Sequence, residues 1–115
     1  MAAGILAKMV LTPLINNVVY TAPAGGIASV KVVLLNYDNE SASADIIVNQ
    51  GGTPVIEDYI EYSAGVKSNG GKLITYEMLL SPGDMITINT DGVKMTCRVS
   101  GIDGGSQSAS MPLEG

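Results

Sequence analysis

Turn-forming residues break this chain at short intervals, leaving room between them for strands and little else. Pro23-Ala24-Gly25-Gly26, Gly51-Gly52-Thr53-Pro54, Asn69-Gly70-Gly71, Ser81-Pro82-Gly83-Asp84 and Asp91-Gly92 punctuate the sequence. These residues accept positive φ, restrict φ, or bond their own backbone, so each cluster reverses the chain for a physical reason. The runs between them are rich in Val, Ile and Thr, whose branched side chains pack well on a pleated surface. That rhythm predicts an all-β fold, a single antiparallel β-sandwich of about seven or eight short strands, jelly-roll or immunoglobulin-like.

The clearest strand spans 93–102. Val93, Met95, Cys97 and Val99 alternate with Lys94, Thr96, Arg98 and Ser100, which places the first set on the core face. In 85–89, Ile86 and Ile88 share a face, and Asp91-Gly92 predicts a hairpin into the next strand. Residues 73–80 read as one strand with Ile74, Tyr76, Met78 and Leu80 on one side and Leu73, Thr75, Glu77 and Leu79 on the other. In 29–37, Val30, Val32 and Leu34 face one way and Val33 and Leu35 the other, so both sides of this strand are expected to be covered. A polar turn at Asp38-Asn39-Glu40 leads to a return strand over 44–49. Asn17–Thr21 and 59–62 read as two further short strands.

The first dozen residues fit two readings. Ile5, Leu6, Met9 and Val10 have helix-like spacing, but the segment is short and contains Gly4. An extended arm lying on a neighbouring subunit fits equally well. The expected organisation is an N-terminal arm over 1–16, a β-sandwich over 17–103, and a flexible tail over 104–115, where Gly, Ser and Ala are abundant.

Composition narrows the function. A length of 115 residues suits one domain. The aromatic residues are five tyrosines, with no Phe or Trp, so the core must be aliphatic. Six basic residues against eleven acidic ones give a net charge of −5, and the basic residues form no run. Neither nucleic acid nor an anionic membrane is an expected partner. The apolar stretch from Met1 to Leu11 is too short to span a bilayer and lacks the basic lead-in of a signal peptide. A single cysteine, Cys97, permits no disulfide within the chain.

Catalytic chemistry finds little purchase. With no histidine, Ser-His-Asp and Cys-His arrangements and histidine-bearing metal sites are excluded. Cys97 reads as a small core residue. Glu57, Asp58 and Glu61 cluster in sequence, yet read as a polar rim more readily than as an acid–base pair. Asp84, Asn89 and Asp91 are oxygen donors without calcium-loop spacing. The glycine pairs 25–26, 51–52, 70–71 and 104–105 lack any phosphate-loop context and read as turns with positive φ. No enzyme activity, cofactor or metal is expected. The candidate functional residues are interface residues: Tyr59 and Tyr62, because tyrosine combines an apolar body with a polar tip, together with Ile5, Leu6 and Met9.

Several segments resemble one family. Val19-Tyr20-Thr21-Ala22-Pro23-Ala24-Gly25, Glu57-Asp58-Tyr59-Ile60-Glu61-Tyr62, Leu79-Leu80-Ser81-Pro82-Gly83-Asp84 and the closing stretch from Gly92-Val93 to Gly101-Ile102-Asp103 are similar, in order and spacing, to segments of small structural proteins of tailed bacteriophages. The resemblance covers roughly residues 18–103. It implies a virion protein, with a capsid decoration (cement) protein on the head exterior favoured over a neck, tail or baseplate component. It also implies the major capsid protein or other virion proteins as partners, and a homo-oligomer, a trimer above all. A carbohydrate- or host-binding module is the alternative from another class.

Overall fold

A computed structural model describes residues 2–75 and 77–105. Nine strands form among them: β1 (Ala2–Val10), β2 (Asn17–Thr21), β3 (Ile27–Asn36), β4 (Ala42–Asn49), β5 (Tyr59–Val66), β6 (Gly71–Ile74), β7 (Met78–Leu80), β8 (Met85–Thr90) and β9 (Met95–Gly105). A 3-10 turn, Ile56–Asp58, precedes β5. Sheet A has the antiparallel order β1-β9-β3-β6, with β7 also pairing β3; sheet B has the order β2-β8-β4-β5. With β6 and β7 taken as one interrupted strand, this is an eight-stranded jelly roll, which decides between the two connectivities the sequence left open.

The core is aliphatic, as the composition requires. Val30, Val32 and Leu34 of β3 and Met95, Cys97 and Val99 of β9 meet Ile46 of β4 and Ile86 and Ile88 of β8. The strand β3 alternates without a break: Ala28, Val30, Val32, Leu34 and Asn36 are buried, and the residues between them face outward. Ile47 is also buried, though outside the main core cluster.

Four expectations need correction. Asp91-Gly92 is not a hairpin turn, because β8 lies in sheet B and β9 in sheet A. Likewise Asp38-Asn39-Glu40 leads from sheet A to sheet B. Side-chain periodicity specifies which face is buried and says nothing about which strand is the neighbour. Val93 precedes β9 and is exposed, so the inward alternation begins at Met95. The segment expected to be an N-terminal arm contains β1, which pairs with β9 of the same chain from Ala2↔Asp103 to Val10↔Thr96. Only Gly104 and Gly105 of the expected tail fall among the described residues, and they close β9.

The fourth correction concerns residues 73–80. Leu34 pairs with Leu73 and Val33 with Ile74, whereas Val30 pairs with Met78 and Ala28 with Leu80. One extra residue on the β6–β7 side shifts the phase, so Leu73 and Thr75 point inward before the break and Met78 and Leu80 after it. The buried Thr75 bridges the gap. Its N–H donates to the Val32 carbonyl at 3.0 Å, and its Oγ1 accepts the Val32 N–H at 3.0 Å. A one-residue slip of this kind leaves no mark in the alternation itself.

Thr75→Val keeps the shape and removes the acceptor for a buried N–H. It should cost about 1–3 kcal/mol in urea denaturation, while Thr96→Val, on the outer face of sheet A, should stay within about 0.5 kcal/mol of wild type.

Candidate functional site: the outer face of sheet A

In a domain with one buried layer, the outer face of each sheet remains open to contact. Register defines the outer face of sheet A. Residues directly opposite in an antiparallel ladder share a face, so Ile5↔Ser100, Lys8↔Arg98 and Val10↔Thr96 continue through Thr96↔Leu35, Arg98↔Val33, Ser100↔Lys31 and Ile102↔Ser29. Across β3 they reach Val33↔Ile74, Leu35↔Lys72 and Ser29↔Leu79. An antiparallel sheet with one face on the core ordinarily turns polar residues to water. This face instead presents Leu79, 78% exposed, Val10, 60%, Ile74, 56%, and Ile5, 54%.

Basic residues are set among these side chains. Lys8, Lys31, Lys72 and Arg98 are all exposed. They are scattered along the chain and gathered by the pleat. Arg98 and Thr96 lie at the junction of two shallow hollows. One, of about 300 Å³, is lined by Lys8, Met9, Val10, Thr96, Cys97 and Arg98. The other, of about 200 Å³, is lined by Val33, Leu35, Lys72, Thr96 and Arg98. A surface so built can bury aliphatic side chains while its basic heads meet carboxylates.

The five interface candidates divide between the two margins of the sandwich. β1 touches β2 along one margin, and β5 touches β6 along the other. Ile5 is exposed on the outer face of sheet A, Met9 is 37% exposed on β1, and Leu6 packs against the core. Tyr59 and Tyr62 lie on β5 at the far margin, so the five form no single patch. The two rings meet edge to face with centroids 5.2 Å apart. In a regular strand, residues three apart face opposite ways. Here Ile46 pairs with Glu61 and Ile47 with Tyr59, and the extra residue on β5 brings both rings to one side.

The remaining polar clusters are occupied in turns. Asp84 accepts the Ser81 N–H at 2.9 Å through Oδ2 and the Gln50 amide at 3.0 Å through Oδ1. Asp91 accepts the Ser43 N–H at 2.8 Å, and Asn89 donates to Asn16 at 2.9 Å. Asp84 and Asp91 flank the two ends of β8 and are not brought together. Asp58 accepts the Val55 N–H at 3.0 Å. Among the described residues no group of three His, Cys, Asp or Glu side chains could hold a metal ion. Of the glycine pairs, Gly51, Gly52 and Gly70 have positive φ, whereas Gly25 and Gly71 do not.

The sequence singled out Val33 and Leu35 as apolar on the second side of a strand, and that was the available signal for this face. The clustering of Lys8, Lys31, Lys72 and Arg98 had none, because it depends on which strands pair. No protein-family model matches the chain, and no curated protein matches it.

Cys97 lies beneath this face, buried between Met95 and Val99. Burial pushes its thiol from an ordinary 9.0 up to about 12. Burial, then the 2.7 Å hydrogen bond that Tyr20 donates to Asp103, also holds the Tyr20 phenol above its usual range. Both groups keep their protons in the folded state while the unfolded chain releases them, so folding stability falls as pH rises above about 9. Native protein at pH 8 should react with a thiol reagent far more slowly than denatured protein, and the urea midpoint should drop between pH 8 and pH 11.

Proposed function

We propose that this chain is a bacteriophage virion structural protein, a decoration (cement) protein that binds the outside of the head and stabilises it. The observation that carries this reading is the apolar outer face of sheet A. Exposed aliphatic side chains on a sheet face that ordinarily turns polar residues to water support a role in contact.

Two further points support the reading. Jelly rolls are shared by viral capsid and lectin domains; this is an analogy of fold, which alone implies no function. The ordered motifs within residues 18–103 add the resemblance to small tailed-phage structural proteins.

In this reading the chain works through repetition. Each copy contributes a modest interface to the major capsid protein and to neighbouring copies. Many copies on one shell then give a total that no single contact provides. A neck, tail or baseplate location is the second reading, and it would use the same face.

Antibody–gold labelling of purified virions tests the location. Gold spread over the heads is the expected result, and heads lacking the protein should then release DNA at lower temperature. Gold confined to the neck or tail would exclude the cementing role, and unlabelled virions would exclude the virion reading.

A further inference from the structure

Five polar side chains are buried among the described residues: Asn17, Asn36, Thr75, Thr87 and Thr90. Four of them bond the backbone. Thr87 is the exception. It is 7% exposed, yet its hydroxyl has no hydrogen-bond partner among the described residues. Buried polar groups in folded proteins are nearly always paired, so this one calls for a partner from outside the chain.

Thr87 faces the outer side of sheet B. Its neighbours Ile86 and Ile88 point into the core, and Val18, opposite it in the ladder, is 50% exposed. There Thr87 and Met85 form the floor of a hollow of about 150 Å³. Asn16 and Val18 line it on the β2 side, and Gly51, Gly52 and Pro54 line it from the loop that follows β4. That loop is braced. Asn49 accepts the Gly51 N–H at 3.0 Å and donates to Asp58 at 3.3 Å, and Gln50 donates to Asp84 at 3.0 Å. The hollow is therefore preformed, and an occupant need not order it.

We propose that this hollow binds one neutral sugar unit, with the Thr87 hydroxyl as its buried hydrogen-bond anchor. The site lies on the sheet opposite the virion contact and does not depend on it. Chemistry selects the ligand. No lining residue is charged, so neither an anion nor a cation finds a counter-charge. A purely apolar ligand would leave Thr87 unpaired. The Thr87 hydroxyl both donates and accepts. Asn16 accepts Asn89 through Oδ1, which leaves its amide N–H groups to donate at the rim. Val18, Pro54 and Met85 supply apolar contact. The matching ligand is neutral, carries hydroxyls and shows a C–H face, which describes a sugar ring. The volume lies below the ~300–1,000 Å³ of drug-sized pockets and so admits a single ring. Register also places Val18, Thr87, Ile47 and Tyr59 in one row across sheet B, with the exposed Tyr62 ring against Tyr59. Two strand spacings, roughly 10 Å, separate Thr87 from Tyr59, so the same face holds an aromatic surface for a second linked unit.

The test is an amide NMR titration of the full chain with glucose, galactose, mannose and N-acetylglucosamine at millimolar concentrations. At least one is expected to shift the Gly51, Gly52 and Thr87 signals saturably. Thr87→Val keeps the shape of the side chain and removes its hydroxyl. It should weaken that binding roughly tenfold, while the urea midpoint stays equal or rises, because the hydroxyl has no internal bond to lose. Sugars that leave these signals unmoved, shifts that do not saturate, or binding that Thr87→Val leaves intact would each overturn the assignment. Signals moved only by acetamide or serine amide would give the hollow to a protein side chain and overturn it equally. A lower urea midpoint in Thr87→Val would show the hydroxyl engaged within the fold and remove the anchor.

Discussion

The burial of one aliphatic layer between two sheets governs the rest of this molecule. To place Val30, Val32 and Leu34 against Ile46, Ile86 and Ile88, the chain must pass repeatedly between the sheets. Of the eight connections, only β4–β5 and β6–β7 stay within one sheet, so six cross. Each crossing ends strand pairing near the core, where an unpaired backbone group is costly. Buried polar side chains meet that need. Asn17 accepts the Thr12 N–H and donates to the carbonyls of Thr12, Ile15 and Ile88. Asn36 donates to the carbonyls of Glu40 and Val66 and accepts the Asp38 N–H. Thr90 donates to the Ser43 carbonyl and accepts the Gly92 N–H.

With its polar obligations met by these turns, the domain is free to use both outer faces. Sheet A turns aliphatic and basic side chains outward, while the strands of sheet B contain no Lys or Arg. A protein with net charge −5 therefore carries a locally basic, apolar surface. Its basic character follows from the topology, because β1, β3, β6 and β9 carry the cations and share a sheet.

Much of the fold was legible in the residues. The turn clusters and the strict alternation of 93–102 pointed to a sandwich, and Met95, Cys97 and Val99 were read correctly as core. Strand partners were not legible. Asp91-Gly92 has the chemistry of a hairpin, yet Gly92 is buried and the chain continues into the opposite sheet. Nor could the Thr75 bulge be seen, because Leu73-Ile74 before the break and Met78-Leu79-Leu80 after it offer apolar residues to both faces. The site divided in the same way. Exposed Ile5 and Tyr62 were singled out by residue type, but lie on opposite margins. Lys31 and Lys72, 41 positions apart in sequence, become part of one face only through register with β3.

The central claim is that the outer face of sheet A is covered when the protein does its work. Acylation of lysines in intact virions, compared with dilute free protein and read by mass spectrometry, tests it most directly. Lys67 and Lys94 are exposed outside the strands and serve as internal controls. The account predicts that Lys31 and Lys72 lose reactivity in the virion while Lys67 and Lys94 keep it. Equal modification of all four lysines in both states would contradict it.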